Sequence, residues 1–114
     1  MVFRYNGSMV LAAPYTRKTR AAIDDAASRV EAAYTPDIIR IRHRFSEDSN
    51  GFPSIYFQIL VRDEAGQLDR LMTLSRNVED ALVEEAQTDE HGLGVYCYFR
   101  TVSEQRELRD PAWE

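Results

Sequence analysis

A chain of 114 residues, 44% hydrophobic and 29% charged, is sized for one globular core and is too apolar to be disordered. Its net charge of −5 argues against the uniform electrostatic attraction behind most nucleic-acid binding. The longest apolar run, Ile55 to Val61, is broken by Gln58 and is far too short to span a bilayer, so no membrane association is expected.

Residues 1–114 are therefore expected to form a single domain. Cys97 is the only cysteine, so no internal disulfide can form, and the cytoplasm is the expected compartment. Of the fourteen basic residues only Lys18 is a lysine. The arginines matter physically, because a guanidinium stacks on aromatic rings and forks onto carboxylates where an ammonium does not.

The opening MVFRYNGSM carries Gly7-Ser8-Met9, which reads as a cloning remnant with Met9 as the natural start, so no function is placed on residues 1–8. Met9 to Ala13 is too short for a signal peptide and is a candidate extra strand. Residues 17–34 follow as an amphipathic helix, with Ile23, Ala26, Ala27, Val30, Ala33 and Tyr34 at helical spacing. Thr16 or Thr19 supplies its N-cap, and Pro36 ends it by disfavouring the α conformation at Thr35. The basic cluster Arg17, Lys18 and Arg20 opposes the helix dipole at this end and reads best as a solvated terminus.

A hairpin comes next. Ile38–Phe45 and Ser54–Arg62 both alternate, and the intervening stretch from Glu47 to Pro53 is dense in turn formers. A period of two places Ile39, Ile41, His43 and Phe45 on one face of the first strand, opposite Arg40, Arg42 and Arg44. In the second strand Ile55, Phe57, Ile59 and Val61 oppose Tyr56, Gln58, Leu60 and Arg62. Asp63–Gln67 is a turn, and a second helix is expected from about Leu68 to Gln87. Its stripe is Leu71, Leu74 or Ser75, Val78, Leu82 and Ala86, and its acidic side is Glu79, Asp80, Glu84 and Glu85. Val95–Thr101 is a third strand, with Val95, Cys97 and Phe99 opposite Tyr96, Tyr98 and Arg100. The charged tail 102–114, with Pro111 and Trp113, is expected to form a short docking helix.

The element order α-β-β-α-β predicts an α+β two-layer sandwich, with both helices on one face of a three- or four-stranded sheet. Pairing of Met9–Ala13 would make the topology ferredoxin-like.

The open face of that sheet is the candidate binding surface. It gathers Arg40, Arg42, Arg44, Arg62 and Arg100 with Tyr56, Tyr96 and Tyr98, plus Leu60 and Ile38, while the second helix is acidic. Arginine and tyrosine are enriched at interface centres, and Leu60 and Ile38 would otherwise sit exposed. The expected partner is therefore protein, either a second copy of the chain or a larger partner, and the expected role is a non-enzymatic binding or accessory subunit. One alternative is a small enzyme or ligand binder with a pocket lined by Tyr98, Arg42 and Tyr56. Another is a single-stranded nucleic-acid binder, which the overall acidity opposes.

No catalytic residue, metal ligand set or cofactor motif is assigned. The acidic turn fails as a calcium loop, because the twelfth position counted from Asp48 is Ile59 and not glutamate. His43 and Cys97 are expected to face the helices as core residues, and His91 to be solvated. No serine or cysteine sits on a recognisable nucleophile elbow.

The stretch from Arg44 to Phe57, RFSEDSNGFPSIYF, with Tyr98-Phe99-Arg100 and Ser103-Glu104 later, resembles a group of short uncharacterised bacterial proteins across roughly residues 38–105. The resemblance implies the hairpin, the acidic helix and the closing strand, and supplies no catalytic residues. Small proteins of this kind are sometimes encoded beside a larger partner, as in toxin–antitoxin-like pairs, which implies a partner chain.

Overall fold

Thr16 settles where the first helix begins. Its hydroxyl oxygen accepts from the Thr19 amide at 3.1 Å, satisfying a donor that the first turn leaves unpaired. The computed structural model describes residues 2–3 and 16–114, and in it α1 runs over Arg17–Ala33. Ile23, Ala26, Ala27 and Val30 are buried along one side. The two alanines keep that side shallow, so α1 packs closely on its neighbours while each residue contributes little apolar area.

The sheet contains β1 (Val2–Phe3), β2 (Ile38–Glu47), β3 (Pro53–Val61) and β4 (Gly94–Thr101), in the order β1-β4-β3-β2. The hairpin β2-β3 is antiparallel, β3 and β4 are parallel, and β1 is antiparallel to β4. A parallel neighbour needs a crossover, which α2 (Leu68–Ala86) provides. Ile55, Phe57, Ile59 and Val61 of β3 pack against Ile23 and Val30 of α1 and Leu74, Val78 and Leu82 of α2 in one core. The sheet with α1 and α2 on one face is thus an α+β two-layer sandwich, in the expected order α-β-β-α-β.

Several details depart from the expected pattern. Met9–Ala13 lies outside the described residues, and the short edge strand is Val2–Phe3. Because β4 sits directly beside β3, no strand separates them as the ferredoxin-like variant requires. On β2 the pairing shifts between Ile38 and Arg40, so Ile39 is an extra bulged residue. The bulge turns Ile38 into the core at 3% exposure and leaves Ile39 outside at 46%. A strict period of two had placed them the other way round. On α2, Glu79 is buried rather than on the solvated acidic side, and its desolvation holds the carboxyl above its usual range.

The turns are specified locally. Gly51 adopts φ +81° in the hairpin turn, a conformation side chains rarely take. Gly66, in a short 3-10 turn at Asp63–Gly66, lies so close to Thr101 that a Cβ there would collide with Cγ2 of that threonine. The segment that opens α2 is therefore pressed against the end of β4.

That end of β4 starts a third layer. Helix α3 (Val102–Leu108) is opened by a capping box: Thr101 Oγ1 accepts from the Glu104 amide, and Glu104 Oε1 accepts from the Thr101 amide. Ser103 adds a tether by donating from its amide and its hydroxyl to the Asp63 carboxylate. Those bonds hold the Asp63 carboxyl below its usual range. A further 3-10 turn, Pro111–Trp113, brings Trp113 down onto the sheet. The expected docking helix forms, and it docks on the face opposite α1 and α2.

Candidate functional site

The register across β2, β3 and β4 divides the Arg/Tyr face into three rungs. Arg44, Tyr56 and Tyr96 align in one, Arg42, Gln58 and Tyr98 in the next, and Arg40, Leu60 and Arg100 in the last. Alternation alone put these residues on one face, and the structure does bring them together there.

The Arg40 rung is closed by the chain's own tail. The Arg100 guanidinium lies 4.3 Å from the Trp113 ring centroid, donates to Gln105 Oε1 at 2.8 Å and pairs with Asp110 at 3.5 Å. Arg40 Nη2 donates to the Trp113 carbonyl at 2.5 Å. From the middle rung Arg42 Nε donates to the Glu114 carbonyl at 2.9 Å. Gln105 is the buried hub of the tail and donates to the Asp110 carbonyl and the Glu114 carboxylate. Under this cover Leu60 is only 7% exposed. Leu60 and Ile38 are therefore not the exposed apolar residues that sequence reasoning expected: the tail covers one and the bulge buries the other.

Arg62 also leaves the set. It stands at the end of β3 and donates from Nε to Asp37 Oδ1 at 2.8 Å, where Arg70 of α2 joins at 2.7 Å. The Arg62 hydrogen bond, with Arg70 beside it, holds the Asp37 carboxyl below its usual range. This triad ties the β3 end to α2 and is a structural clasp.

The tail leaves uncovered the Arg44 rung, in which Tyr56 and Tyr96 are half-buried, together with the exposed Tyr98 and Arg42. The Tyr56 and Tyr96 rings stack at 4.8 Å with 10° between their planes, and Tyr98 lies parallel to Tyr56 at 6.3 Å. The Arg44 guanidinium sits 4.8 Å from the Tyr56 centroid. Such contacts contribute about 0.5–1.5 kcal/mol each and, more usefully, restrict side chains that already have few rotamers. Asp48 fixes the end of the stack. Its Oδ2 accepts the Tyr96 hydroxyl at 2.9 Å, while Oδ1 accepts the amides of Asn50 at 2.8 Å and Phe52 at 3.0 Å. The hairpin turn and the aromatic stack thus share one carboxylate. Sequence reasoning read Asp48 only as a turn former, because nothing local announces the hydroxyl that reaches it from β4.

Free backbone along the β2 edge is guarded. The Ile41 amide donates to Glu31 Oε2 of α1 at 3.2 Å, which occupies a donor that an added strand would need.

On the opposite face the titratable groups are buried or tied down. Burial pushes the Cys97 thiol up to about 12, so it is not a thiolate at neutral pH. Thr19 Oγ1 and His91 Nδ1 are 3.0 Å apart, so His91 is tied to α1 and not simply solvated. Thr19 is 4% exposed, whereas His91 is half-buried. Among the described residues no group of three His, Cys, Asp or Glu side chains is placed to hold a metal ion. Among the same residues no helix is long and apolar enough to cross a membrane.

His43 faces the helices as expected, 3.2 Å from Asp24 and edge-on to Phe45. Desolvation lowers its pKa from 6.5, only partly offset by Asp24 and reinforced by Arg20. The folded state therefore binds this proton less well than the unfolded chain does. The resulting stability is complete above the unfolded value of 6.5 and is lost as pH falls through that value towards the folded pKa. Unfolding by urea at pH 7 and pH 5 should show a smaller acid loss in His43→Gln than in the wild type. Equal losses in the two proteins would remove His43 as the cause.

Compared with known proteins, the sequence matches no family model and no curated protein. The functional reading therefore stands on the geometry of this chain.

Proposed function

We propose that the chain is a non-enzymatic protein-binding module whose contact surface is the half of the sheet face that the C-terminal tail leaves uncovered, Arg42, Arg44, Tyr56, Tyr96 and Tyr98. The observation that carries this reading is the ordered stack from Arg44 through Tyr56 to Tyr96, held at its end by Asp48. Tyrosine rings have few rotamers, and an arginine already held over a ring has less freedom left to lose when a partner covers it. Tyr98, half exposed at 50%, is the natural anchor.

The chemistry of the patch favours an acidic segment of a different protein. Face-to-face self-pairing would set Arg42 and Arg44 against their own copies. The apolar residues that would have favoured a second copy, Leu60 and Ile38, are already covered. A partner with carboxylates next to an aromatic or aliphatic anchor complements both the charge and the rings. The face is less suited to single-stranded nucleic acid, because Tyr56 already lies between Arg44 and Tyr96 and has no ring face left for a base.

Selection from a displayed random-peptide library tests this directly. Wild-type protein should enrich acidic peptides, and the selected peptides should bind Arg44→Ala and Tyr98→Ala about tenfold or more weakly, since truncating an interface anchor costs more than 1 kcal/mol. Enrichment without acidic character, or binding that both variants retain, would sink the proposal. Sedimentation of the same proteins should give monomers. A dimer abolished by Tyr98→Ala would replace the foreign partner by a second copy.

A further inference from the structure

The tail does more than cover the Arg40 rung, because between it and the sheet lies an open cleft of about 600 Å³. That volume falls within the range of small-molecule sites. Its apolar lining comes from Leu60 of β3, Val102 of α3 and Pro111 of the last turn, and its basic lining from Arg40, Arg106 and Arg109. This cleft is not the pocket expected at Tyr98, Arg42 and Tyr56: among the described residues it is lined from the other end of the rungs.

Three guanidiniums on one cleft, in a chain of net charge −5, call for a reason. Helix chemistry accounts for one of them, since Arg106 in the last turn of α3 complements the helix dipole. It does not account for Arg109, which stands at the left-handed cap position with φ 49°. Nor does it account for Arg40. Arg40 spends one nitrogen on the Trp113 carbonyl, yet its Nε is buried with no acceptor among the described residues. Neither Arg106 nor Arg109 has an ion-pair partner among the described residues, whereas Arg29, Arg62, Arg70 and Arg100 all do. Glu114 brings one carboxylate to the cleft, and Gln105 already donates to it. Arg106 also lies close enough to Asp63 to help hold that carboxyl down, so the balance is a cleft with an apolar floor and a wall of three guanidiniums against one carboxylate, Glu114.

We infer that this cleft binds a small organic anion with one carboxylate or phosphate head on an apolar body, the head on Arg106 and Arg109 and the body over Leu60, Val102 and Pro111. Guanidinium forks suit both kinds of head, and the apolar floor requires more than a bare ion. The site is separate from the tyrosine patch, so either can fail without the other.

Amide NMR titration of the full chain with octanoate, octyl phosphate, inorganic phosphate and octanol tests it. At least one of the two amphiphilic anions should produce saturable shifts at Leu60, Val102 and the residues of α3, and which of them binds more tightly identifies the head group. The double variant Arg106→Gln, Arg109→Gln should weaken that binding at least about tenfold, while Arg76→Gln on the outer side of α2 should not. Both substitutions are at exposed positions, so a native amide spectrum is expected in each variant. No saturable shift with either anion overturns the inference. So do equal affinity for octanol, equal affinity for inorganic phosphate, or binding that the double variant retains.

Discussion

Replacing Trp113 by alanine is expected to detach the tail from the sheet and weaken its docking by about 2–4 kcal/mol. The indole is 6% exposed, lies against the Arg100 guanidinium and gives its carbonyl to Arg40. Its removal takes away the largest apolar group of the third layer and leaves the Arg40 and Arg100 guanidiniums without their cover. The effect should be local at first, because α3 and the last turn contribute nothing to the core between the sheet and α1 and α2. Hydrogen exchange is the suitable measurement, since it resolves opening of one segment from global unfolding. The amides of α3 should lose protection by about a hundredfold, while those of β3 keep theirs. Unchanged protection in α3 would mean that Gln105 and the Thr101 cap hold the tail without the indole.

The same residue shows what was and was not legible in the sequence. Alternation identified β2, β3 and β4 and the residues of the Arg/Tyr face, because a strand's side-chain period follows from its backbone geometry. Leu60, an apolar residue on an otherwise polar face, signalled that something must cover that face. It could not say that the cover is the tail of the same chain, residues 102–114, since that packing joins segments far apart in sequence. The bulge at Ile39 was illegible for a related reason: inserting one residue changes the phase of the pattern, and the apolar pair Ile38-Ile39 reads equally well in either phase. Arg62 fitted the face by parity, yet it sits where the strand ends, and Asp37 at the hairpin's entry draws it away. Glu79 looked like part of a solvated acidic side because charge predicts solvent contact only on average, and the packing of α2 decided otherwise.

Asp48 carries the second large expectation, and it connects stability to the proposed surface. Among the described residues one carboxylate accepts three hydrogen bonds, two from the turn amides of Asn50 and Phe52 and one from the Tyr96 hydroxyl, at a position 8% exposed. In Asp48→Ala all three donors lose their acceptor. Asn50 is exposed, so its amide can turn to water, but Phe52 and Tyr96 are partly buried and bear more of the loss. At about 1–3 kcal/mol for a buried donor left unsatisfied, the variant should lose about 2–4 kcal/mol in urea unfolding. Asp48→Asn keeps an acceptor for the amides, and its side-chain nitrogen can donate to the Tyr96 hydroxyl, which also accepts, so most of that stability should return. Tyr96→Phe removes only the hydroxyl bond and should cost about 1 kcal/mol. If Asp48 supports both the turn and the stack, the losses in Tyr96→Phe and Asp48→Ala will not add, because they share one bond. The near-ultraviolet circular dichroism of the tyrosines should weaken in Asp48→Ala as the stack loosens, and acidic peptides selected by the wild type should bind that variant less tightly even where it remains folded. An Asp48→Ala protein within about 0.5 kcal/mol of the wild type would reduce the carboxylate to an ordinary turn residue. The ordered stack would then rest on ring–ring and ring–guanidinium contacts alone, and the reason to regard it as prepared for a partner would weaken with it.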